Sequence, residues 1–267
     1  MGEMITKLQE KETGGYDYDK ILQAILDVGE EMVVAGAEVS RVEDSIFRMC
    51  RSYGADRINV FIITSNIQVT MEAPDGRILT HIRRVVRNDV NFDRLDYLND
   101  LSRYICTTVP DVEHLQKKLD DVLNRPQQPL ILRFLGCMFA AGGFSVFFGG
   151  TWLDGLASCI MGIVVVVFEI FLASREKNQI VYNFVASVVS GITAHLLVGV
   201  GIGDNVDMLM IGGIMLLIPG IAMTNAIRDM LMGDIATGLL RLCNALLIAA
   251  AIACGFAFTI LFLGGVL

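Results

Sequence analysis

The sequence predicts two structural classes in one chain: an α+β domain over residues 1–129, then an all-α membrane bundle of five transmembrane helices over residues 130–267. Three observations carry this reading. Charge is partitioned, with 16 Lys and Arg and 22 Asp and Glu in residues 1–129 against 5 and 7 in the remainder, so the 54 % hydrophobic content averages two unlike halves. Residues 57–85 alternate and are punctuated by the turn sequence Pro74-Asp75-Gly76, as short strands are. Beyond Pro126 and Pro129 the apolar runs reach bilayer length, for which roughly 20 residues are needed.

Within the first half, Asp17 or Asp19 is placed to cap a helix whose stripe is Ile21, Leu22, Ile25, Val28 and Met32. Gly36 interrupts it. Val39, Val42, Ile46, Met49 and Tyr53 continue at helical spacing up to Gly54, a plausible stop. Arg57–Thr64 is rich in β-branched and aromatic residues and predicts a buried strand. Ile67, Val69 and Met71 alternate with Gln68 and Thr70 in a second strand, and Arg77–Val85 forms a third. Two helices follow, Asn91 to Cys106 and Val112 to Leu123, which together make a domain large enough for its own core. The first thirty residues are acidic and polar, with no secretory pattern, so this domain is expected in the cytoplasm.

Five apolar runs follow, at about 131–149, 153–173, 181–202, 207–227 and 236–263. Arg125 and Arg133 precede the first, Arg175 and Lys177 separate the second and third, and Arg228 separates the fourth and fifth. The two remaining gaps hold no Lys or Arg. The positive-inside rule then puts the N-terminus inside and the C-terminus outside, in the inner (plasma) membrane of the cell.

Chemistry-bearing residues concentrate in three places. Ala35-Gly-Ala-Glu-Val-Ser-Arg-Val-Glu-Asp44 gathers Glu38, Ser40, Arg41, Glu43 and Asp44. Glu38 and Arg41 stand at i, i+3 and pair readily on one helix face. A serine–carboxylate hydrolase is the alternative reading, but neither a nucleophile elbow nor a phosphate loop accompanies it, so no catalytic residue is assigned. Metal and cofactor sites are not expected, because the six cysteines form no CxxC pair and have no His at ligand spacing. Arg83, Arg84 and Arg87 form a basic cluster in an acidic domain, which argues against a nucleic-acid partner.

Polar residues inside spans are costly and point to function. Glu169, one turn from the inner end of the second span, and His195, within the third, are proton-coupling candidates; snorkelling and hydrogen-bonded packing are the respective alternatives. The third place is Gly212 to Asp234, a membrane-grade run broken by Pro219-Gly220 and ending in Asn225, Arg228 and Asp229. Proline removes a donor and clashes with the preceding turn, and in a bilayer the freed groups persist only where protein or water meets them. A helix restarting there aims its positive end into the membrane, a geometry suited to a carboxylate. Pro219, Gly220, Thr224, Asn225, Arg228 and Asp229 are therefore the substrate-binding candidates, with Asp229 also a proton carrier or ammonium partner.

Gly36-Ala-Glu-Val-Ser-Arg-Val-Glu-Asp44, Arg51-Ser-Tyr-Gly-Ala55 and Pro219-Gly220…Asn225-Ala-Ile-Arg-Asp229…Gly233-Asp234 together resemble the threonine/serine exporter family, in the same order and over nearly the whole chain. The chain is similar to the larger subunit of the two-component form, whose relatives are linked to succinate export. The resemblance implies a proton-driven exporter of small carboxylate-bearing metabolites, of the threonine/serine type or, alternatively, dicarboxylates. It also implies a small integral-membrane partner supplying further spans, and thus an oligomeric assembly. The competing classes are a membrane-anchored hydrolase and a regulatory scaffold acting through the N-terminal domain.

Overall fold

The computed structural model describes residues 17–63, 65–87, 89–126, 129–172 and 178–263. Contacts divide the chain into two compact units, one of Met1–Pro126 with Asn225–Leu240 and one of Gln127–Thr224 with Arg241–Leu267.

In the first unit, α1 (Tyr18–Val34) begins at Asp17, whose carboxylate accepts from the Lys20 N–H at 3.4 Å. Its apolar stripe, Ile21, Leu22, Ile25, Val28 and Met32, is fully buried. Gly36, at φ +94°, turns the chain into α2 (Val39–Ser52), which ends before Gly54 at φ +80°. Strands β1 (Asp56–Ile63), β2 (Asn66–Glu72) and β3 (Ile78–Arg84) form an antiparallel meander in the order β1-β2-β3. Helices α3 (Phe92–Thr108), capped by Asn91, and α4 (Val112–Leu123), capped by Asp111, complete the layer over one face. Ile67, Val69 and Met71 of β2 meet Ile46, Met49, Leu98, Ile105 and Leu115 in one core.

One strand differs from expectation. β1 is not a buried strand: only Ile62 is buried, and Phe61 is 55 % exposed. The composition reads as buried, but Phe61 lies on the outer face of the sheet, where its cross-strand neighbours Gln68 and Ile82 are exposed as well. Thr64, the last residue of that expected strand, lies outside the described residues. The basic cluster is locally neutralised, since Arg83 pairs with Asp27 at 2.7 Å and Arg87 with Glu31.

Helices α5 (Leu130–Phe147), α6 (Trp152–Leu172) and α7 (Gln179–Gly199) of the second unit, and α10 (Ile235–Leu263), which belongs to it from Arg241, are long and apolar enough to cross a membrane. Between α7 and α10 lie α8 (Val206–Leu217) and α9 (Gly220–Leu231), which meet at a 52° bend and make a fifth span if taken as one. Each has 12 residues, or about 18 Å of helix, so neither crosses a hydrocarbon core of ~30 Å alone. Arg175 and Lys177 lie outside the described residues.

Small residues bring these helices together. A Cβ on Gly142 would lie 2.8 Å from the Gly155 carbonyl oxygen, and one on Gly162 would lie 2.7 Å from that of Cys137, so α5 and α6 touch along their backbones. On α8, a Cβ at Gly212 would meet the Ala141 carbonyl oxygen at 2.7 Å and the Ser158 hydroxyl at 3.0 Å. The six cysteines are free thiols; Cys50 is buried in the first unit, which pushes its thiol up to about 12, whereas Cys243 and Cys254 on α10 are exposed rather than packed inside.

Gly212→Ala must displace α5 backbone and is expected to cost about 1–3 kcal/mol, the usual penalty of overpacking. Gly136→Ala on α5, where an added Cβ meets nothing within 4 Å, serves as the neutral control. Thermal denaturation of the detergent-solubilised chain compares the two.

Candidate functional site

The break in the fourth apolar segment is built by Pro219. It offers no donor to the Met215 carbonyl, and the Gly220 N–H turns to the Ile218 carbonyl at 2.8 Å instead of continuing the helical ladder. Ile218 is extended at φ −61° and ψ 133°, which is the conformation a residue before proline prefers. The ladder resumes with Met223 N–H donating to the Pro219 carbonyl at 3.0 Å, so Pro219 opens α9 as a cap residue. The first-turn N–H groups that follow have no intrahelical acceptor. The Thr224 hydroxyl donates back to the Gly220 carbonyl at 2.9 Å and does not cap them.

Helix α9 runs further than the sequence suggested. Arg228 and Asp229, expected in the gap after the fourth span, lie within its helical turns, and the stop is Gly233 at φ +103°. Apolarity ends at Ile227, but nothing after Pro219 breaks the backbone before that glycine, so the helix outlasts the hydrophobic run. Asn225 and Asp229 share its inward side, with Asp229 2 % exposed, while Thr224 and Arg228 share an exposed one.

Within the first unit, α9 residues meet the N-terminal motif. The Arg228 guanidinium donates from Nη1 to Oε1 of Glu38 at 2.5 Å, joining positions 190 residues apart. Glu38 Oε2 lies 3.3 Å from Arg41 Nε, so one carboxylate serves two arginines. Glu38 occupies the N-cap position of α2 but makes no capping hydrogen bond with its side chain. Glu43 accepts from the Ile62 N–H at 2.9 Å and thereby ties α2 to β1. Burial raises its pKa, and the charge of Asp234 adds to that rise against the opposing Ile62 bond. Asp44 faces away from this junction and holds Arg48 at 2.9 Å. Ser40 is half-buried in the first turn of α2.

Of the three proton-coupling candidates, Asp229 lies in the first unit, whereas Glu169 and His195 lie in the second and are not brought together with each other by any described bond. Glu169 is paired with Arg133, so the last turn of α6 and the first of α5 neutralise one another. His195 is buried on α7, and its Nδ1 donates to the Gly191 carbonyl at 2.9 Å, which leaves Nε2 as the acceptor of the neutral ring.

One functional-looking group was missed by sequence reasoning. Asp154, 1 % exposed, accepts from the N–H groups of Asp204 at 2.7 Å and Asn205 at 2.9 Å through one oxygen, and from Thr151 N–H at 2.9 Å through the other. It staples together the two interhelical gaps that contain no Lys or Arg. The available signal was an acidic residue in the first turn of a membrane-grade helix, where only a carboxylate with dedicated donors is tolerable. Among the described residues no three His, Cys, Asp or Glu side chains converge as a metal site.

Comparison with known proteins points to a family of transporters. The family described as "Putative threonine/serine exporter" matches residues 23–263. The "Probable succinate transporter subunit YjjP" of Klebsiella aerogenes is 26 % identical over 226 residues, covering 82 % of this chain and 85 % of that protein. The "Threonine/serine exporter" of Corynebacterium glutamicum is 23 % identical over 241 residues, covering 85 % of this chain and 48 % of that protein. The "Probable threonine/serine exporter" of Mycobacterium tuberculosis is 24 % identical over 255 residues, 92 % of this chain and 47 % of that one. The chain thus spans about half the length of these two exporters. No solved structure gives a significant match.

Because Glu43 has a raised pKa when folded, its protonation favours the folded chain: that contribution is present below the unfolded value and is lost as pH rises through the folded one. Glu43→Gln keeps an acceptor for the Ile62 N–H and removes the charge. It is expected to melt at or above the parent temperature near neutral pH, with the difference closing as pH falls. Glu43→Ala orphans that N–H and is expected to lose about 1–3 kcal/mol at either pH. Melting of the solubilised chain across a pH series checks both.

Proposed function

The chain belongs to the putative threonine/serine exporter family, and from that premise we propose that it is a subunit of an exporter for small carboxylate-bearing metabolites. The family and the named relatives are transporters, not enzymes, and the apolar helices make this a multi-pass membrane protein. The observation that carries the substrate reading is the break at Pro219, with a new helix starting at Gly220 and bent 52° from the preceding one. In a bilayer, the unpaired N–H groups and positive dipole end of a restarted helix favour a carboxylate over a neutral or cationic group. Pro219, Gly220 and Thr224 line the start of α9, and Asn225, Arg228 and Asp229 lie along its continuation.

In this reading the N-terminal domain, residues 1–129, is cytoplasmic, and residues 130–267 form the membrane domain, with the C-terminus outside the inner membrane. Arg133 in the first turn of the first span, Arg228 near the end of the fourth, and the lack of Lys or Arg in the gaps around Asp154 and Asp204 support that orientation. The relatives named as succinate transporter subunits support an assembly with a second membrane protein. Threonine and serine, or alternatively succinate, are the substrates to compare, since all carry the carboxylate that the break favours. A proton gradient is the proposed driving force, with Glu169, His195 and Asp229 as the groups to test.

Inverted membrane vesicles from cells producing the chain together with its membrane partner should accumulate labelled threonine, serine or succinate, and a protonophore should stop the uptake. Absence of flux for all three would sink the substrate claim. Arg228→Ala is expected to raise KM about 10–100-fold, the worth of one charge-assisted hydrogen bond of ~1.5–3 kcal/mol. Pro219→Ala, which lets the helix run on, is expected to leave a folded protein with transport strongly reduced.

A further inference from the structure

We propose that Glu38 is an internal competitor for the substrate carboxylate: in the described state it occupies Arg228, and the transported molecule must displace it. This deepens the proposed function and rests on taking Arg228, one of its substrate-binding candidates, as an anchor of the substrate carboxylate. Three features of the junction suit an exchangeable ligand better than a fixed strut.

The first is chemical identity. Arg228 is held by a carboxylate at 2.5 Å, which is the group that the proposed substrates carry. Among the described residues Glu38 is its one ion-pair partner. Swapping one carboxylate for another on the guanidinium conserves charge, so the exchange needs no change in the number of ionic bonds at Arg228.

The second is asymmetric burial. The Arg228 side chain is 51 % exposed, whereas that of Glu38 is 16 % exposed. The guanidinium therefore keeps donors open to an incoming anion while its present partner is withdrawn. A substrate oxygen can engage those free donors before Glu38 leaves, which lowers the barrier to exchange.

The third is that Glu38 has somewhere to go. Loss of a partner is most costly when it strands a buried charge. Arg41 already holds the other oxygen of Glu38 at 3.3 Å. Glu38 also stands at the N-cap of α2 with its capping hydrogen bond unmade. Once released from Arg228, its carboxylate can accept from the first-turn N–H groups of α2, where the helix dipole favours negative charge. Glu38 thus couples occupancy of Arg228 to the state of α2, which carries Glu43 and, through it, β1.

The test uses uptake by inverted vesicles containing the chain together with its membrane partner, with succinate and threonine as probes. Glu38→Gln is expected to lower KM on the order of tenfold with little change in kcat, because a neutral amide competes poorly for the guanidinium. The charge swap E38R/R228E is expected to fold and to remain impaired, since position 228 then lacks a cation. In the parent chain, hydrogen exchange of the first-turn amides of α2 (Ser40, Arg41) is expected to slow when saturating substrate is added, and not to slow in Arg228→Ala. Restoration of parental KM and kcat by the swap would show a structural strut and overturn the proposal. An unchanged KM in folded Glu38→Gln, with Arg228→Ala impaired, would overturn the competition alone and leave the anchor intact. Normal transport by Arg228→Ala would instead remove the anchor, and the competition with it.

Discussion

A single covalent fact organises the membrane segments: Pro219 has no N–H. In water the lost hydrogen bond would be made up by solvent, and a kinked helix would suffice. In a hydrocarbon environment an unsatisfied peptide group costs several kcal/mol, so the chain must find partners within itself or beside water. The observed solution is a stop and a restart, with Ile218 extended, Gly220 turned back on Ile218, and Met223 closing the new ladder on the Pro219 carbonyl. Two half-length helices follow from that. The close packing of Gly212 onto Ala141 lets the first half settle against α5 without a side chain intervening. The same requirement explains Asp154, whose carboxylate is acceptable in a membrane-grade helix because backbone N–H groups meet both oxygens, and Glu169, which faces Arg133.

Local pattern made most elements legible in the sequence. Stripes at helical spacing located α1 through α4, alternation located β2 and β3, and apolar length located α5, α6, α7 and α10. Each of these signals is read over a few turns or a few alternations, where side-chain periodicity and burial coincide. The failures share one cause: they depend on what lies across from a residue. β1 has the composition of a buried strand, yet Phe61 lies on the outer face of the sheet beside the exposed Gln68 of β2. The polar end of α9 falls outside the span that hydropathy marks, while the backbone stays helical to Leu231, just before the stop at Gly233.

The candidate site was legible in its residues and not in its geometry. Both halves of the junction were visible as motifs, Glu38 with Arg41 near one end of the chain and Arg228 with Asp229 near the other. An i, i+3 pair within one helix follows from helical geometry alone. A contact across 190 residues does not, and neither composition nor spacing marks Glu38 as the partner of Arg228. Asp154 was overlooked for a related reason: its donors are backbone N–H groups in a loop 50 residues away, and backbone donors carry no sequence signature.

The charge arrangement at that junction bears on how one fold can serve relatives named for different substrates. Threonine, serine and succinate differ in size, in side-chain chemistry and in net charge, and what they share is a carboxylate. A pocket built around a hydroxyl or an ammonium group would separate them sharply, because a buried polar group left unpaired is heavily penalised. A guanidinium kept in balance by an internal carboxylate imposes a different selection. It asks only that the incoming group compete with Glu38 for Arg228, and any carboxylate of adequate reach meets that condition. Discrimination among carboxylates must then come from the rest of the path, including whatever second membrane subunit completes it. On the proposed exchange, the threshold for entry is set by how firmly Arg41 and the N-terminus of α2 receive Glu38 when it lets go. Substitutions around α2, remote from the membrane helices in sequence, would tune affinity without touching the transported molecule.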